Sequence, residues 1–129
     1  MADVDLPSGL ITYSTSIGAI RKEADDCRRV RLLFDILKLQ YNEADVGNIQ
    51  FLRNKLSQLS GTTHLPQVFI GSKYIGNYDD LQRLEDDGIL KQFLLENGYE
   101  EVENFRKVHP FTGEPVYPDD DEEYDEEEE

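Results

Sequence analysis

Apolar residues recur at two different spacings along the first half of the chain, and each spacing predicts a different element. The short runs at residues 10–13 and 40–46 have the length and content of β-strands. Between them, apolar positions three and four residues apart predict a helix over about residues 19–39. The same spacing predicts a second helix over residues 49–59, with an inward face of Phe51, Leu52, Leu56 and Leu59.

The stretch over residues 64–81 predicts a β-hairpin that leads into a helix. Residues 67–70 and 73–75 are expected to form two strands, joined by the dipeptide Gly71-Ser72, which suits a two-residue turn. Pro66 opens the first of these strands, where its missing N–H removes no bond from the sheet.

Two further helices are predicted after the hairpin, over residues 79–87 and 89–96. Asp79 and Asp80 start the first of them, where the free backbone amides of a helix favour carboxylates. The predicted order is therefore β-α-β-α-β-β-α-α. Because strands joined through a helix lie parallel and hairpin strands lie antiparallel, we predict an α/β fold with a small four-stranded mixed sheet flanked by helices.

Charge is distributed unevenly, and this distribution predicts where the domain ends. Ten of the 28 acidic residues lie in residues 119–129, and without them the net charge of −15 falls to −5. A run of like charges with no aliphatic residue cannot form a core, so we predict a disordered acidic tail. We expect a flexible N-terminus over residues 1–8, one folded domain over 9–99, and a linker with the tail over 100–129.

The composition also argues against several classes of function. The chain has no basic stripe for nucleic acid, and its acidic tail would be repelled by phosphate and by anionic lipid. It begins without a signal-peptide pattern and has no apolar run of about 20 residues, so we expect neither secretion nor a membrane span. A single cysteine rules out an internal disulfide and favours the reducing cytoplasm, where we expect a monomer.

The hairpin stretch resembles a known family. Leu-Pro-Gln-Val-Phe-Ile at 65–70, Tyr-Ile-Gly at 74–76 and Asp-Asp-Leu at 79–81 resemble the C-terminal half of glutaredoxins. The resemblance implies a thioredoxin-like fold in which the proline is cis. In that family, backbone groups of the residue before the proline bind the cysteine end of glutathione, and the aspartates bind its γ-glutamyl end. The groove for glutathione or a protein partner would then comprise His64, Leu65, Pro66, Tyr78, Asp79 and Asp80.

One departure from the pattern is similar to a narrower family. Glutaredoxins have Gly-Cys where this chain has Asn77-Tyr78. The sequence Gly-Asn-Tyr-Asp is instead similar to the SH3-domain-binding glutamate-rich protein family. Those are small glutaredoxin-like proteins, several with acidic tails, that lack the redox cysteines. The resemblance covers about residues 9–99.

The thiol of Cys27 does not stand where glutaredoxin chemistry needs its nucleophile. A working glutaredoxin uses a thiolate at the N-terminus of its first helix, where free amides and the helix dipole lower the thiol pKa. Residues 16–19 follow the first strand and contain no cysteine, and Cys27 matches the family's second cysteine. We expect Cys27 to lie about two turns inside the helix, with Asp25 and Asp26 raising its pKa.

Several interpretations of these residues stay open. Cys27 is a half-buried core residue, a monothiol redox or glutathionylation site, or an iron–sulfur ligand in a dimer. The groove is a glutathione half-site, or else Pro66 only shapes the strand and the aspartates only cap a helix. His64 and His109 are too isolated to form a metal site with one cysteine, so we expect no metal and no cofactor apart from glutathione.

We favour a non-catalytic interaction module that binds a protein partner through the groove or the acidic tail. The alternative is a monothiol, glutathione-dependent redox protein of the glutaredoxin type that uses Cys27. The missing Cys-x-x-Cys motif argues against an enzyme. In the tail, residues 115–118 have the Pro-x-x-Pro spacing of SH3 ligands without a flanking base, and Tyr124 among carboxylates suggests a phosphorylation site.

Overall fold

The elements follow the predicted alternation of strands and helices. The computed structural model describes residues 6–15, 21–47, 49–108 and 110. Along those residues the elements are β1 (Leu10–Ser14), α1 (Arg21–Ile36), β2 (Asn42–Asp45), α2 (Gln50–Ser60), β3 (Gln67–Ile70), β4 (Lys73–Gly76), α3 (Tyr78–Asp86) and α4 (Leu90–Glu96).

The strands form one mixed sheet in the order β2-β1-β3-β4. As predicted, β1 pairs in parallel with β2, and β3 pairs antiparallel with β4. In addition, β3 pairs antiparallel with β1. All of β1 is buried, because it has a strand on each side and apolar packing on each face. The predicted α/β architecture is confirmed.

The sheet separates two apolar cores. One core joins the sheet to α1, α3 and α4 and includes Leu10, Val30, Phe34, Val68, Leu81 and Leu94. The other joins the sheet to α2 and includes Ile11, Tyr13, Leu52, Leu56, Leu65 and Phe69. Neighbouring residues of β1 therefore enter different cores, as the two-residue period of a strand requires.

Helix α2 buries fewer apolar side chains than predicted. Leu52 and Leu56 are buried, whereas Phe51 is 61% exposed and Leu59 is 39% exposed. The prediction that Phe51 and Leu59 face inward is therefore wrong. Phe51 is rotated by about 100° from Leu52, and Leu59 lies in the last turn, where the helix is less covered.

Helix α1 ends at Ile36, three residues earlier than predicted. Lys38 adopts the left-handed conformation, with φ of 58°, and the Leu39 amide donates to the Phe34 carbonyl at 2.9 Å. This turn closes the helix and brings Leu39 and Tyr41 into the core with Phe34.

Contacts of the packed domain extend beyond both predicted boundaries. Leu6 is buried in the α2 core, although the sequence predicts a flexible segment there. The Gln40 side chain exchanges two hydrogen bonds with the backbone of Val102, at 3.0 and 2.8 Å, and the Val108 amide donates to Asn42 at 2.9 Å. The packed part therefore begins before residue 9 and continues past residue 99.

Several sequence-based predictions fall outside the described residues. These are the flexibility of residues 1–5, the roles considered for His109, for the Pro-x-x-Pro motif at 115–118 and for Tyr124, and the disorder of the tail over 119–129. Residues 16–19, which contain no cysteine, also lie outside the described part of the chain. These predictions stay predictions.

Candidate functional site

A cavity of about 340 Å³ lies beside the Leu65–Pro66 peptide bond, which is cis. We call this cavity the proline groove. Its described lining comes from the loop before β3, the first turns of α1 and the start of α3, and consists of Lys22, Glu23, Asp26, His64, Leu65, Pro66, Asn77 and Asp79. Four of the predicted site residues are thus brought together, namely His64, Leu65, Pro66 and Asp79.

The loop that carries Pro66 is ordered by its own side chains. The amide of Gln67, a residue only 1% exposed, donates to the carbonyls of Thr62 and His64 at 2.9 and 3.0 Å. The Thr62 hydroxyl accepts the His64 N–H at 3.2 Å. These bonds satisfy backbone groups that would otherwise be costly to bury.

The backbone amide of Leu65 finds its acceptor on another element. Glu23, in the first turn of α1, accepts this N–H at 3.2 Å through an oxygen that also lies 3.5 Å from Nδ1 of His64. Glu23 is 9% exposed and Leu65 is 4% exposed, so the contact is shielded from water. The sequence carried no signal for it, because the two residues are 42 positions apart.

Carboxylates outnumber bases along the groove. Asp26 pairs with Lys22 at 2.7 Å and with Arg29 at 3.0 Å. The hydrogen bond and charge of Asp26, together with the charge of Asp79, hold the pKa of Lys22 above its usual value. With Glu23 included and His64 neutral, the described lining carries a net negative charge.

Tyr78 and Asp80, which were predicted to belong to the groove, lie outside its described lining. Tyr78 packs against the core of α1 and donates to Gln82 at 3.1 Å. Asp80 completes a capping box: its amide donates to the Asn77 side chain at 2.9 Å, and its carboxylate accepts the Asn77 N–H at 3.1 Å. Asn77 was not predicted as the cap, although Asn followed three residues later by a carboxylate is a signal for one.

The thiol of Cys27 lines a second cavity. This thiol cavity, of about 490 Å³, is lined by Ser14, Thr15, Ala24, Cys27, Arg28, Arg31, Glu43 and Asp45. Its described lining shares no residue with that of the proline groove. Cys27 is the seventh residue of α1, so it does not lie at the amino end of the helix. Its side chain is buried, with 3% of the residue exposed.

Burial is the main reason why Cys27 resists ionisation. It raises the pKa of the thiol from 9.0 to about 11, and the charge of Glu43 adds to the increase. A backbone hydrogen bond from Thr15 and the positive charge of Arg31 act in the opposite direction but are outweighed. At neutral pH the thiol is therefore almost entirely protonated.

The carboxylate that acts on Cys27 most strongly comes from β2 and not from α1. Glu43 accepts a hydrogen bond from Ser14 at 2.8 Å and pairs with Arg31 at 2.8 Å. Asp25 and Asp26 instead pair with basic residues of their own helix. The prediction that Asp25 and Asp26 raise the pKa of Cys27 gave the right direction but the wrong cause.

Comparison with known proteins places this architecture in a family. A family model for glutaredoxin matches residues 25–75. Glutaredoxin 1 of Rickettsia bellii is 36% identical over 73 residues, which are 53% of this chain and 74% of that protein. The crystal structure of a buckwheat glutaredoxin–glutathione complex is 29% identical, with a TM-score of 0.58 over 71% of this chain and 81% of that chain. The chain belongs to the glutaredoxin family.

Relatives also include longer proteins. An uncharacterised protein of Arabidopsis thaliana is 34% identical over 101 residues, which are 73% of this chain. This chain spans 23% of the length of that relative and 24% of the length of a second Arabidopsis protein. The matches support the glutaredoxin family and fold. The narrower similarity to the SH3-domain-binding glutamate-rich proteins stays a prediction.

Membrane-spanning helices and clusters of metal-ligating side chains are both absent from the residues that the structure describes. No helix in that part of the chain combines the length and the apolar content that crossing a membrane requires. No three His, Cys, Asp or Glu side chains there are grouped as a metal site would need.

Proposed function

We propose that this protein is a non-catalytic glutaredoxin-fold module that recognises a protein partner, and that its proline groove is the recognition site. One observation carries the proposal. The single thiol of the chain, on Cys27, lines a different cavity from the Leu65–Pro66 bond.

The state of Cys27 supports a structural role. Thiol–disulfide exchange requires a thiolate that a disulfide can reach. With 3% exposure and a pKa of about 11, Cys27 offers neither an accessible sulfur nor a thiolate at neutral pH. A buried thiol of this kind behaves as a small apolar side chain.

The composition of the groove supports a binding role. Leu65 and Pro66 give it apolar lining, while His64 and Asp79 supply exposed polar groups. An apolar cleft with a few polar groups is the usual character of a recognition site.

A titration of the thiol tests the proposal. The rate of Cys27 alkylation by iodoacetamide is measured from pH 6 to pH 11 on the full chain, with Cys27→Ser as the blank. In parallel, reduction of a glutathione mixed disulfide is assayed with glutathione as the reductant. We expect an apparent pKa well above 8.5, the value of an ordinary thiol, and no turnover. A pKa below about 7, with turnover that disappears in Cys27→Ser, would contradict the proposal.

The partner is best sought with two chains that differ only in the tail. One is the full chain, and the other ends at Pro110, because contacts as far as Val108 belong to the packed domain. A partner captured by both chains and lost on substitution of His64 or Asp79 supports recognition through the groove. A partner captured only by the full chain assigns recognition to the acidic tail.

A monothiol redox protein is the second candidate. The observation that favours it is the cavity of about 490 Å³ beside Cys27, in which Arg28 and Arg31 offer positive charge near the sulfur. Glutathionylation of Cys27 at millimolar glutathione disulfide, detected as a mass increase and abolished in Cys27→Ser, would support this candidate over the first.

A further inference from the structure

The contact between Glu23 and the Leu65 amide has the geometry of a bound ligand. Thr62 and His64 bond to each other and to the neighbouring Gln67 side chain, whereas the Leu65 N–H reaches across to α1. A carboxylate oxygen and a main-chain carbonyl oxygen accept a backbone N–H in the same way. Glu23 therefore stands where the carbonyl of an extended peptide would stand on this amide.

The surroundings keep Glu23 in place. Its side chain is 11% exposed, and the oxygen that accepts the Leu65 N–H also lies 3.5 Å from His64. A bond from an amide to a charged acceptor is stronger than one to a neutral carbonyl. A peptide carbonyl that competes for Leu65 must therefore displace a better acceptor.

We propose that Glu23 is an autoinhibitory residue, whose carboxylate occupies the ligand position on the Leu65 amide and keeps extended peptides out of the proline groove. An extended peptide, including the tripeptide glutathione, enters only when the Glu23 side chain leaves. This inference rests on the recognition role proposed for the groove, and it does not depend on the state of Cys27.

The test uses S-methylglutathione, an extended tripeptide that cannot form a disulfide. Binding to the full ¹⁵N-labelled chain is followed by the chemical shifts of the Leu65 and Asp79 amides. Glu23→Ala removes the occupant, and Glu23→Asp keeps the charge but shortens the reach. We expect each to lower the dissociation constant at least tenfold, about the effect of losing one charge-assisted hydrogen bond.

Two charge controls separate occupancy from repulsion. Glu23→Gln removes the charge but keeps an acceptor of the same length, and Asp26→Asn removes a charge from the same groove without touching Leu65. We expect Glu23→Gln to lower the dissociation constant less than Glu23→Ala does, because the neutral amide still occupies Leu65 but holds it more weakly than the carboxylate. We also expect Asp26→Asn to have a smaller effect than Glu23→Ala, because it leaves Glu23 on the Leu65 amide.

The possible results are distinct. Equal gains in Glu23→Ala and Asp26→Asn would show repulsion only and overturn the proposal. Tight binding by the unmodified chain, with the Leu65 amide shifted, would also overturn it. If Glu23→Ala does not fold, the proposal is tested by comparing the Glu23→Asp and Glu23→Gln variants. Equal dissociation constants of these two variants for S-methylglutathione would contradict autoinhibition. A reactive thiol in the alkylation experiment would refute the non-catalytic proposal and leave this result unaffected.

Discussion

The thiol cavity and the proline groove differ in what happens to a buried polar group of helix α1. In the thiol cavity, burial keeps Cys27 protonated beside Arg31 and Glu43. In the proline groove, Glu23 is almost equally buried but bonds to the Leu65 amide next to Pro66. In a thiol enzyme, sulfur and substrate amide must face the same space.

The separation follows from the turns of one helix. Glu23 and Cys27 are four residues apart and so lie one turn apart on nearly the same face of α1. Glu23, nearer the amino end, reaches the Leu65 amide, whereas Cys27 lines a different cavity with Arg31 and Glu43. A glutaredoxin fold can therefore keep its cis-proline loop while its cysteine is buried.

The largest expected effect concerns access to the thiol. We expect Cys27 in the native chain to react with iodoacetamide at pH 8 about 100-fold more slowly than in the urea-unfolded chain, since about two pKa units reduce the thiolate by that factor. Mass spectrometry of the alkylated chain measures both rates. Similar alkylation rates in the native and unfolded chains would mean that Cys27 is accessible, and the contrast between the thiol cavity and the proline groove would disappear.

The pH dependence of stability follows from the same raised pKa. Between about pH 9 and pH 11 the unfolded thiol loses its proton while the folded thiol keeps it, so rising pH favours unfolding. We expect the free energy of unfolding to fall by about 2–3 kcal/mol over this range on account of Cys27. Below pH 8 this contribution should be constant.

Urea denaturation of the unmodified chain and of Cys27→Ala across this range isolates the effect. Burial also raises the pKa of Tyr13 and of Tyr41, so both chains should lose stability above pH 10. Parallel pH profiles for the two chains would contradict the assignment to Cys27.

Truncation should weaken the packing around the start of β2. A chain ending at Tyr99 loses the hydrogen bonds from residues 102–108 to Gln40 and Asn42, and the contact of Lys107 over the Tyr41 ring at 3.9 Å. We expect a loss of about 2 kcal/mol in the free energy of unfolding, measured by urea denaturation.

The matched control for truncation ends at Pro110, which removes the acidic tail and keeps those contacts. It should stay within about 0.5 kcal/mol of the full chain. If both truncated chains lose the same stability, the segment 102–108 contributes nothing to the domain.

The smallest expected effect is a difference in stability between two substitutions at the start of α3. Asn77→Ala removes the acceptor of the Asp80 amide and should cost about 1 kcal/mol in thermal or urea unfolding. Asp79→Ala should stay within about 0.5 kcal/mol, because Asp79 is exposed and is not the cap. An equal loss for both would mean that Asp79 has a structural role as well.

Periodicity and turn chemistry were enough to predict the order of the elements, the parallel pairing of β1 with β2 and the antiparallel hairpin of β3 and β4. The inward faces of helices were predicted less well, as Phe51 demonstrates, because the width of a buried stripe depends on what packs against it. The groove was predicted in part: His64, Leu65, Pro66 and Asp79 meet, while Tyr78 and Asp80 are used elsewhere.

Local sequence by itself determined where this chain forms strands, helices and a hairpin, since those choices depend on residues within a few positions of one another. Only the tertiary structure decided that Glu23 bonds to Leu65, that Glu43 from β2 faces Cys27, and that residues 102–108 pack beside β2. These contacts join residues far apart in the chain, and the burial that raises the thiol pKa exists only once the helices and sheet have packed.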